Sequence, residues 1–165
     1  MRFLPGLLLA LLFACGTEEI EPVEPPPEPA LPACPPGEVL LDGQPVVLGH
    51  GLAVHGLLYD GWAVSLFDTE GVECSDVLAR TSPKRAQRQE LRIQTGLYGG
   101  VWFGESQEAN AELTLEEKAV RLGGRVAICV REPVRIRIAP GPGGAASTLV
   151  VEGLFEGAYC GQTKS

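Results

Sequence analysis

Short apolar segments separated by two-residue turns dominate the chain from about residue 38 onward, and they restrict it to β-structure. Asp42-Gly43, Asp60-Gly61 and Gly123-Gly124 each stand between two apolar segments. Asp-Gly and Gly-Gly pairs favour the tight turns of β-hairpins, because both central residues of such a turn need a positive φ. The sequence therefore predicts a series of antiparallel hairpins.

Apolar and polar residues also alternate with a period of two, which is typical of strands with one buried face. The clearest example is Val134 to Ile138, where Arg135 and Arg137 separate the apolar residues. The predicted strands cover residues 39–41, 46–48, 52–59, 62–67, 90–95, 101–103, 111–115, 119–122, 125–130, 134–138 and 148–155. We therefore expect an all-β fold, a single antiparallel β-sandwich or squat barrel of about eight to ten short strands.

One segment of this β region favours a helix. Residues 75–80 contain no glycine or proline, and Ser75 is a suitable N-cap residue. The sequence therefore predicts one short helix near residues 75–80.

The first fourteen residues have a different composition from the rest of the chain. A single basic residue, Arg2, precedes a mostly apolar run from Phe3 to Ala14. The run is shorter than the roughly 20 apolar residues that a membrane-spanning helix needs, but it fits the apolar region of a secretory signal. Pro5-Gly6 within it argues against a core helix. We interpret residues 1–14 as a signal peptide.

The end of this leader, Leu12-Phe13-Ala14-Cys15, resembles the lipobox of bacterial lipoproteins. The resemblance implies that the leader is removed before Cys15 and that Cys15 is acylated, so that membrane lipid is the first partner of the mature protein. Gly16, in place of Asp, is similar to lipoproteins that pass to the outer membrane. The expected location is the cell envelope, with the chain lipid-anchored on the periplasmic or surface face of the outer membrane.

Residues 15–33 form the expected tether between the lipid and the folded part. From Thr17 to Ala33 the sequence contains five glutamates, six prolines and no lysine or arginine. Such a composition cannot bury a core and favours extended polyproline II structure. At about 3.1 Å per residue the tether would reach on the order of 50 Å. A proline-rich docking ligand is the alternative interpretation. The β domain would then occupy residues 34–165.

Besides Cys15, four cysteines follow the leader, at positions 34, 74, 129 and 160. An even number in an exported domain predicts a disulfide framework, and four cysteines allow three connectivities. The segments Ser65–Asp68 before Cys74 and Gly153–Glu156 before Cys160 resemble small lipoproteins exported by Gram-negative bacteria. That resemblance implies Cys74–Cys160 and therefore Cys34–Cys129. The rival pairing, Cys34–Cys160 with Cys74–Cys129, stays open at this stage.

Charge excludes one class of partner and leaves another open. The chain carries 13 basic and 21 acidic side chains, a formal net charge of −8, so nucleic-acid binding is not expected. Its arginines could either pair with nearby glutamates or bind an anionic envelope component such as lipopolysaccharide or a glycan. The candidate anion-binding residues are a basic run, Arg80, Lys84, Arg85, Arg88 and Arg92, and the strand pair Arg135 and Arg137.

No residue pattern indicates catalysis, a cofactor or a metal. His50 and His55 are five residues apart, so a continuous strand would point them to opposite faces. The glycine-rich residues 141–147 lack the lysine of a phosphate-binding loop and precede a strand. Tyr98, Trp102 and Phe103 would suit a glycan or peptide if they faced outward, but aromatic residues at strand spacing are more often core.

The sequence thus predicts a non-enzymatic, membrane-anchored envelope lipoprotein whose β domain has a structural or protein-binding role. An envelope protein or an anionic glycolipid would be its partner. A hydrolase without a recognisable motif is the remaining alternative.

Overall fold

The computed structural model describes residues 32–49, 51–56, 60–68, 70–79, 89–140 and 144–163. All of these belong to one compact unit, Pro32–Ser165. Several features singled out in the sequence lie outside the described residues: the leader, Cys15, the tether up to residue 31, His50, and the basic residues Arg80, Lys84, Arg85 and Arg88.

The described chain is almost entirely β-structure, as the sequence predicts. Its elements are, in order, β1 (Glu38–Leu41), β2 (Gln44–Pro45), β3 (Gly51–Gly56), β4 (Gly61–Phe67), α1 (Cys74–Leu78), β5 (Glu90–Gln94), β6 (Gly100–Phe103), β7 (Ser106–Glu108), β8 (Leu113–Glu117), β9 (Arg125–Ile138) and β10 (Ser147–Thr163). The all-β prediction is confirmed, with ten strands and one short helix among the described residues.

The strands form one curled, open sheet that resembles half of a barrel. The main path runs β2-β1-β10-β3-β4-β5-β6-β7, and β9 lies on the other edge of β10 with β8 beyond it. Among the described pairings only β3 with β10 is parallel; the others are antiparallel. The curl brings β9 towards β4, β6 and β7 across the inner face.

Strand β10 is the centre of the sheet because it changes partners along its length. Its first part pairs with β1 up to Glu152, and its last part pairs with β3 from Ala158 onward. Gly153, at the β10–β9 register shift, has φ +89°, and a Cβ there would overlap the carbonyl oxygen of Pro36. Glycine is therefore needed where this crossing brings two backbones together.

Two apolar clusters cover the two faces of the sheet. The larger fills the inner face with side chains of β1, β3 to β6, β9 and β10, including the fully buried Leu91, Ile93, Ile128 and Leu149. The smaller lies on the outer face, where α1 covers residues of β3, β4 and β10 around Phe67. Strand alternation supplies both clusters, since successive residues of β3 and β4 point to opposite faces.

Helix α1 is shorter than expected and begins one residue earlier, at Cys74 rather than Ser75. Its N-cap is Glu73, whose backbone N–H donates to the Asp76 carboxylate at 3.0 Å in a capping box. The reciprocal pair explains why Ser75 does not serve as the N-cap. Val77 packs into the outer cluster and holds the helix on the sheet.

The four cysteines form two disulfides, Cys34–Cys129 and Cys74–Cys160. This is the pairing that the resemblance implied, and the rival pairing is absent. The first bridge attaches the start of the folded part to the middle of β9. The second attaches α1 to β10 beneath the outer cluster. Each therefore joins elements that are distant in sequence but adjacent in the fold.

The structure differs from the sequence prediction in the region of β8 and β9. Residues 125–130 and 134–138 were expected as two strands but form the single strand β9, because β10 is long enough to pair with both. Residues 119–122 were expected as a strand, but the β8–β9 turn occupies them, since β9 pairs with residues 113–117 instead. This second difference exposes apolar side chains.

Candidate functional site

One end of the sheet carries exposed apolar side chains on two loops. Leu97 and Tyr98 lie between β5 and β6 and are 78% and 61% exposed; Val120 and Leu122 lie between β8 and β9 and are 94% and 70% exposed. Both loops lie at the end of the sheet where β3 and β10 finish. The β5–β6 loop lies there because β5 ends beside the start of β4, and β4 starts opposite the end of β3. The β8–β9 loop lies there because β9 starts opposite Ala158, near the end of β10. We call these four residues the apolar rim.

An aromatic cluster lies on the strands at the same end. The rings of His55 and Trp62 are 4.8 Å apart between centroids, and those of Trp62 and Tyr159 are 5.2 Å apart. Trp62 also donates its backbone N–H to Thr95 Oγ1 at 3.0 Å, next to the β5–β6 loop. Trp62 and Tyr159 pack on the edge of the inner cluster. The cluster therefore lies on β3, β4 and β10, between the two pairs of strands whose loops carry the rim.

His55 is mostly buried in this cluster, with 16% of its side chain exposed. Its Nε2 lies 3.5 Å from a carboxylate oxygen of Asp60, in the adjacent turn. The imidazole ring is tilted by 40° relative to the Trp62 ring, an arrangement within the range of favourable aromatic contacts. Within the described residues no group of three or more His, Cys, Asp or Glu side chains is placed to hold a metal ion.

The other two aromatic candidates contribute less to an exposed surface. Phe103 is 8% exposed and belongs to the inner cluster, as the core interpretation expects. Trp102 is half-buried on the opposite face of β6. Of the three, only Tyr98 is available at the rim.

An open groove of about 710 Å³ lies where β10 changes partners. Val46, Leu66 and Phe155 are among its apolar lining residues, and Arg125 and Glu156 are its charged ones. Gly123 also lines it, so the groove extends to the β8–β9 loop that bears half of the rim. Its volume suits a small ligand or a few side chains of a bound protein.

The described arginines of β9 divide into paired and unpaired residues. Arg125 forms ion pairs with Glu117, at 3.0 Å, and with Glu156. The Glu156 hydrogen bond is the main reason that the pKa of Arg125 is raised above its usual value. Arg131 pairs with Glu116 and donates to Thr114 Oγ1 at 2.8 Å.

Arg135 and Arg137 are exposed on the outer face of the same strand. Neither forms an ion pair with any residue that the structure describes. Arg92, the other described candidate for anion binding, lies on β5 and donates to Gln94 Oε1 at 2.5 Å. Strands β4, β3 and β10 separate Arg92 from the β9 pair. The structure therefore does not bring Arg92 together with Arg135 and Arg137.

Little in the sequence indicates the rim. Leu97 and Tyr98 stand between Gly96 and Gly99, which does mark them as a turn rather than a strand. Val120 and Leu122 precede a Gly-Gly pair and therefore resemble the end of a buried strand. Only the register of the β8–β9 pair places them in a loop.

Comparison of the chain with known protein families, curated proteins and solved structures finds no match. Among the described residues, no helix has the length and apolar character that a membrane span requires.

Proposed function

We propose that this protein is a lipid-anchored envelope protein whose β domain binds a partner protein through the apolar rim, without catalysis. The observation that carries the proposal is the concentration of exposed large apolar side chains on two loops at one end of the sheet. Four of the six such residues among those described lie there. A concentration of exposed large apolar side chains at one end of a domain is typical of interaction sites.

The rim also has the composition of a binding surface. Tyr98 and the nearby Trp62 are aromatic, and aromatic residues are enriched at the centres of protein interfaces. The β8–β9 loop also carries Lys118 and Arg121, and Arg121 stands between Val120 and Leu122. A surface that mixes apolar and charged side chains favours a protein over a small anionic ligand.

The attachment of the tether supports an anchored role for the domain. Arg131 Nη1 donates to the carbonyl oxygen of Pro32 at 2.6 Å, and the Cys34–Cys129 bridge follows two residues later. Both contacts fix the entry of the chain to β9, a central strand rather than a mobile edge. A pull on the tether would therefore be borne by a covalent bond to the core.

Site-specific photo-crosslinking in the native cells tests the rim. A photoreactive residue at Val120 or Leu97 should give the same discrete protein adduct, since the two loops face one partner. The adduct from position 120 should disappear when Leu97 is changed to Asp. Glu105, which lies in the β6–β7 turn at the other end of the sheet, is the control position. Equal adducts at Glu105, or none at either rim position, would contradict a rim-bound partner.

Intact-mass measurement of the mature protein tests the anchor independently. We expect an acylated N-terminus at Cys15 and release of the protein from the membrane fraction in the Cys15→Ala variant. A leader that stays attached, or an unmodified Cys15 at the N-terminus, would show that the protein is not lipid-anchored.

A further inference from the structure

The open groove beside β10 is continuous with the apolar rim. Gly123, in the β8–β9 loop, is one of its lining residues. The Gly123 N–H donates to the carbonyl oxygen of Tyr159 at 2.8 Å, and the Tyr159 N–H donates to the carbonyl oxygen of Gly124 at 2.8 Å. These hydrogen bonds hold the loop that bears half of the rim against β10, directly after the groove residue Ala158. The groove and the rim therefore form one surface.

The far end of the groove carries another exposed apolar side chain. Val47, between β2 and β3, lines the groove and is 88% exposed. It precedes the start of β3, and β3 runs from there towards the rim. Val47 and the rim account for five of the six exposed large apolar side chains among the described residues. The groove thus extends the apolar binding surface rather than forming a separate site.

The dimensions of the groove favour an extended chain over a helix. Its lining follows β10 from Leu154 to Ala158, so at about 3.3 Å per strand residue it is about 13 Å long or more. A volume of about 710 Å³ over that length gives a mean cross-section of about 55 Å² or less, roughly 8 Å across. An α-helix with its side chains is about 10–12 Å across. An extended segment of about four or five residues matches both the width and the length.

The interior of the groove offers no free charge. Among the described residues that line it, only Arg125 and Glu156 are charged, and they form an ion pair with each other. The others are apolar residues and glycines. A charged side chain that entered the groove would lose water without gaining an unpaired opposite charge. The groove therefore favours apolar side chains.

The rim end of the same surface has positive charge to offer. Lys118 and Arg121 are exposed on the β8–β9 loop, and neither forms an ion pair with any residue that the structure describes. The adjacent Glu116 and Glu117 are both paired with arginines of β9. A carboxylate at this end of a bound segment would complement the two cations.

We propose that the partner at the rim inserts an extended segment into the groove, with four or five consecutive apolar residues and an acidic residue at the end beside Lys118 and Arg121. The inference rests on the proposed function, because it names the chemistry that the same surface recognises. A small apolar ligand fits less well, since an open groove cannot enclose it as small-molecule pockets do. A protein segment needs less enclosure, because contacts of the same partner at the rim add to its binding.

Selection of random peptides of about seven residues, displayed as a library and captured on the full chain, tests the recognition. We expect the enriched peptides to share an apolar stretch with an acidic residue at one end. Ala158→Trp fills the groove from an exposed position and should weaken their binding about tenfold or more. Ala146→Trp is the matched control, because Ala146 is exposed but does not line the groove, and it should leave binding unchanged.

Reversal of the rim charge tests the acidic end of the segment. Lys118→Glu combined with Arg121→Glu should weaken the enriched peptides about tenfold, and a lysine in place of their acidic residue should restore binding. Equal binding of acidic and lysine peptides by the parent chain would overturn the proposal. Enriched peptides that lack an apolar stretch, or that bind Ala158→Trp as tightly as the parent chain, would also overturn it. Saturable binding of palmitate that Ala158→Trp abolishes, with no enriched peptide, would identify a lipid site instead and equally overturn it.

Photo-crosslinking in the native cells separates this inference from the proposed function. A photoreactive residue at Ala158 should give the same adduct as one at Val120, and the linked partner peptide should have the apolar and acidic composition described above. An adduct at Val120 without one at Ala158 would overturn the inference and leave the rim-bound partner standing. A linked peptide from this same chain would show that a second copy occupies the groove, which also overturns it. No adduct at either position would contradict the proposed function and the inference with it.

Discussion

Removal of either disulfide provides the sharpest test of how this sheet is stabilised. The Cys34–Cys129 and Cys74–Cys160 bridges span 95 and 86 residues. In the chain-entropy model, closing loops of these lengths stabilises the native state by about 4.7 and about 4.6 kcal/mol at 25 °C. Because the dependence on loop length is logarithmic, the model predicts nearly equal losses for the two pairwise Cys→Ala variants.

The packing around the two bridges could make the two losses of unfolding free energy unequal. Cys129 is fully buried and Cys160 is 7% exposed in the outer cluster. The Cys74–Cys160 bridge also holds α1, whose five residues are too few to stay helical alone. Loss of this bridge would therefore release α1 as well. The helix contributes only Cys74, Val77 and Leu78 to the outer cluster, so its release adds little to the loss. We expect the two losses to agree to within about 1 kcal/mol.

Urea unfolding followed by circular dichroism measures these losses. With a slope of about 2 kcal/mol/M, a loss of about 4–5 kcal/mol lowers the midpoint by roughly 2 M. The slope itself should rise, because the unfolded chain becomes more expanded. Losses below about 2 kcal/mol for both variants, less than half of the loop-closure value, would refute the reasoning. If the two losses differ by more than about 2 kcal/mol, native-state packing around one bridge dominates over loop entropy.

Three further predictions concern single residues. Arg131→Ala should lower the free energy of unfolding by about 1–3 kcal/mol, because it removes three hydrogen bonds of a mostly buried guanidinium. The exposed Arg137 is the control, and Arg137→Ala should change the free energy of unfolding by less than about 0.5 kcal/mol. In urea titrations, Gly153→Ala should destabilise the domain more than Gly43→Ala, because both have a positive φ but only Gly153 faces backbone atoms. A backbone hydrogen bond from β10 is the main cause that lowers the pKa of Asp42; its stabilising effect should be present above the unfolded pKa near 4 and be lost as the pH falls through the lower folded value. Stability of Asp42→Asn should therefore vary less between pH 5 and pH 2 than that of the parent chain, and an unchanged difference would contradict the assignment.

The β character of the domain was predictable because its signals are local. A turn such as Asp42-Gly43 needs only its own two residues to favour positive φ, and the structure has φ 50° and 80° there. The alternation in Val134 to Ile138 likewise fixes which residues share a face once a strand forms. The structure shows both features, in the β1–β2 turn and in β9.

The cysteine pairing was not decided by such local signals. Residue spacing left three connectivities open, and only the resemblance favoured Cys74–Cys160. The pairing depends on α1 lying over β10, which requires the parallel approach of β3 to β10. A parallel neighbour from a distant part of the chain leaves no mark in a short sequence window.

The exposure of the apolar rim could not be predicted from local signals either. Val120 and Leu122 have the composition of a buried strand, and the rim exists because β9 pairs with residues 113–117 instead. Arg131 and Arg137 differ by six residues on one strand, yet one is enclosed by Thr114 and Glu116 and the other is exposed. The difference arises because β8 covers only the first part of β9.

By itself, then, the sequence determined the β-structure, the turns and the set of cysteines that could be joined. Tertiary structure alone decided the disulfide partners, the change of partner along β10, and which apolar and cationic side chains remain exposed. The physical reason is that alternation and turn conformation depend on neighbouring residues, whereas strand order and register depend on contacts between residues far apart in the chain. A shift of register by one residue exchanges the two faces of a strand without changing any local preference.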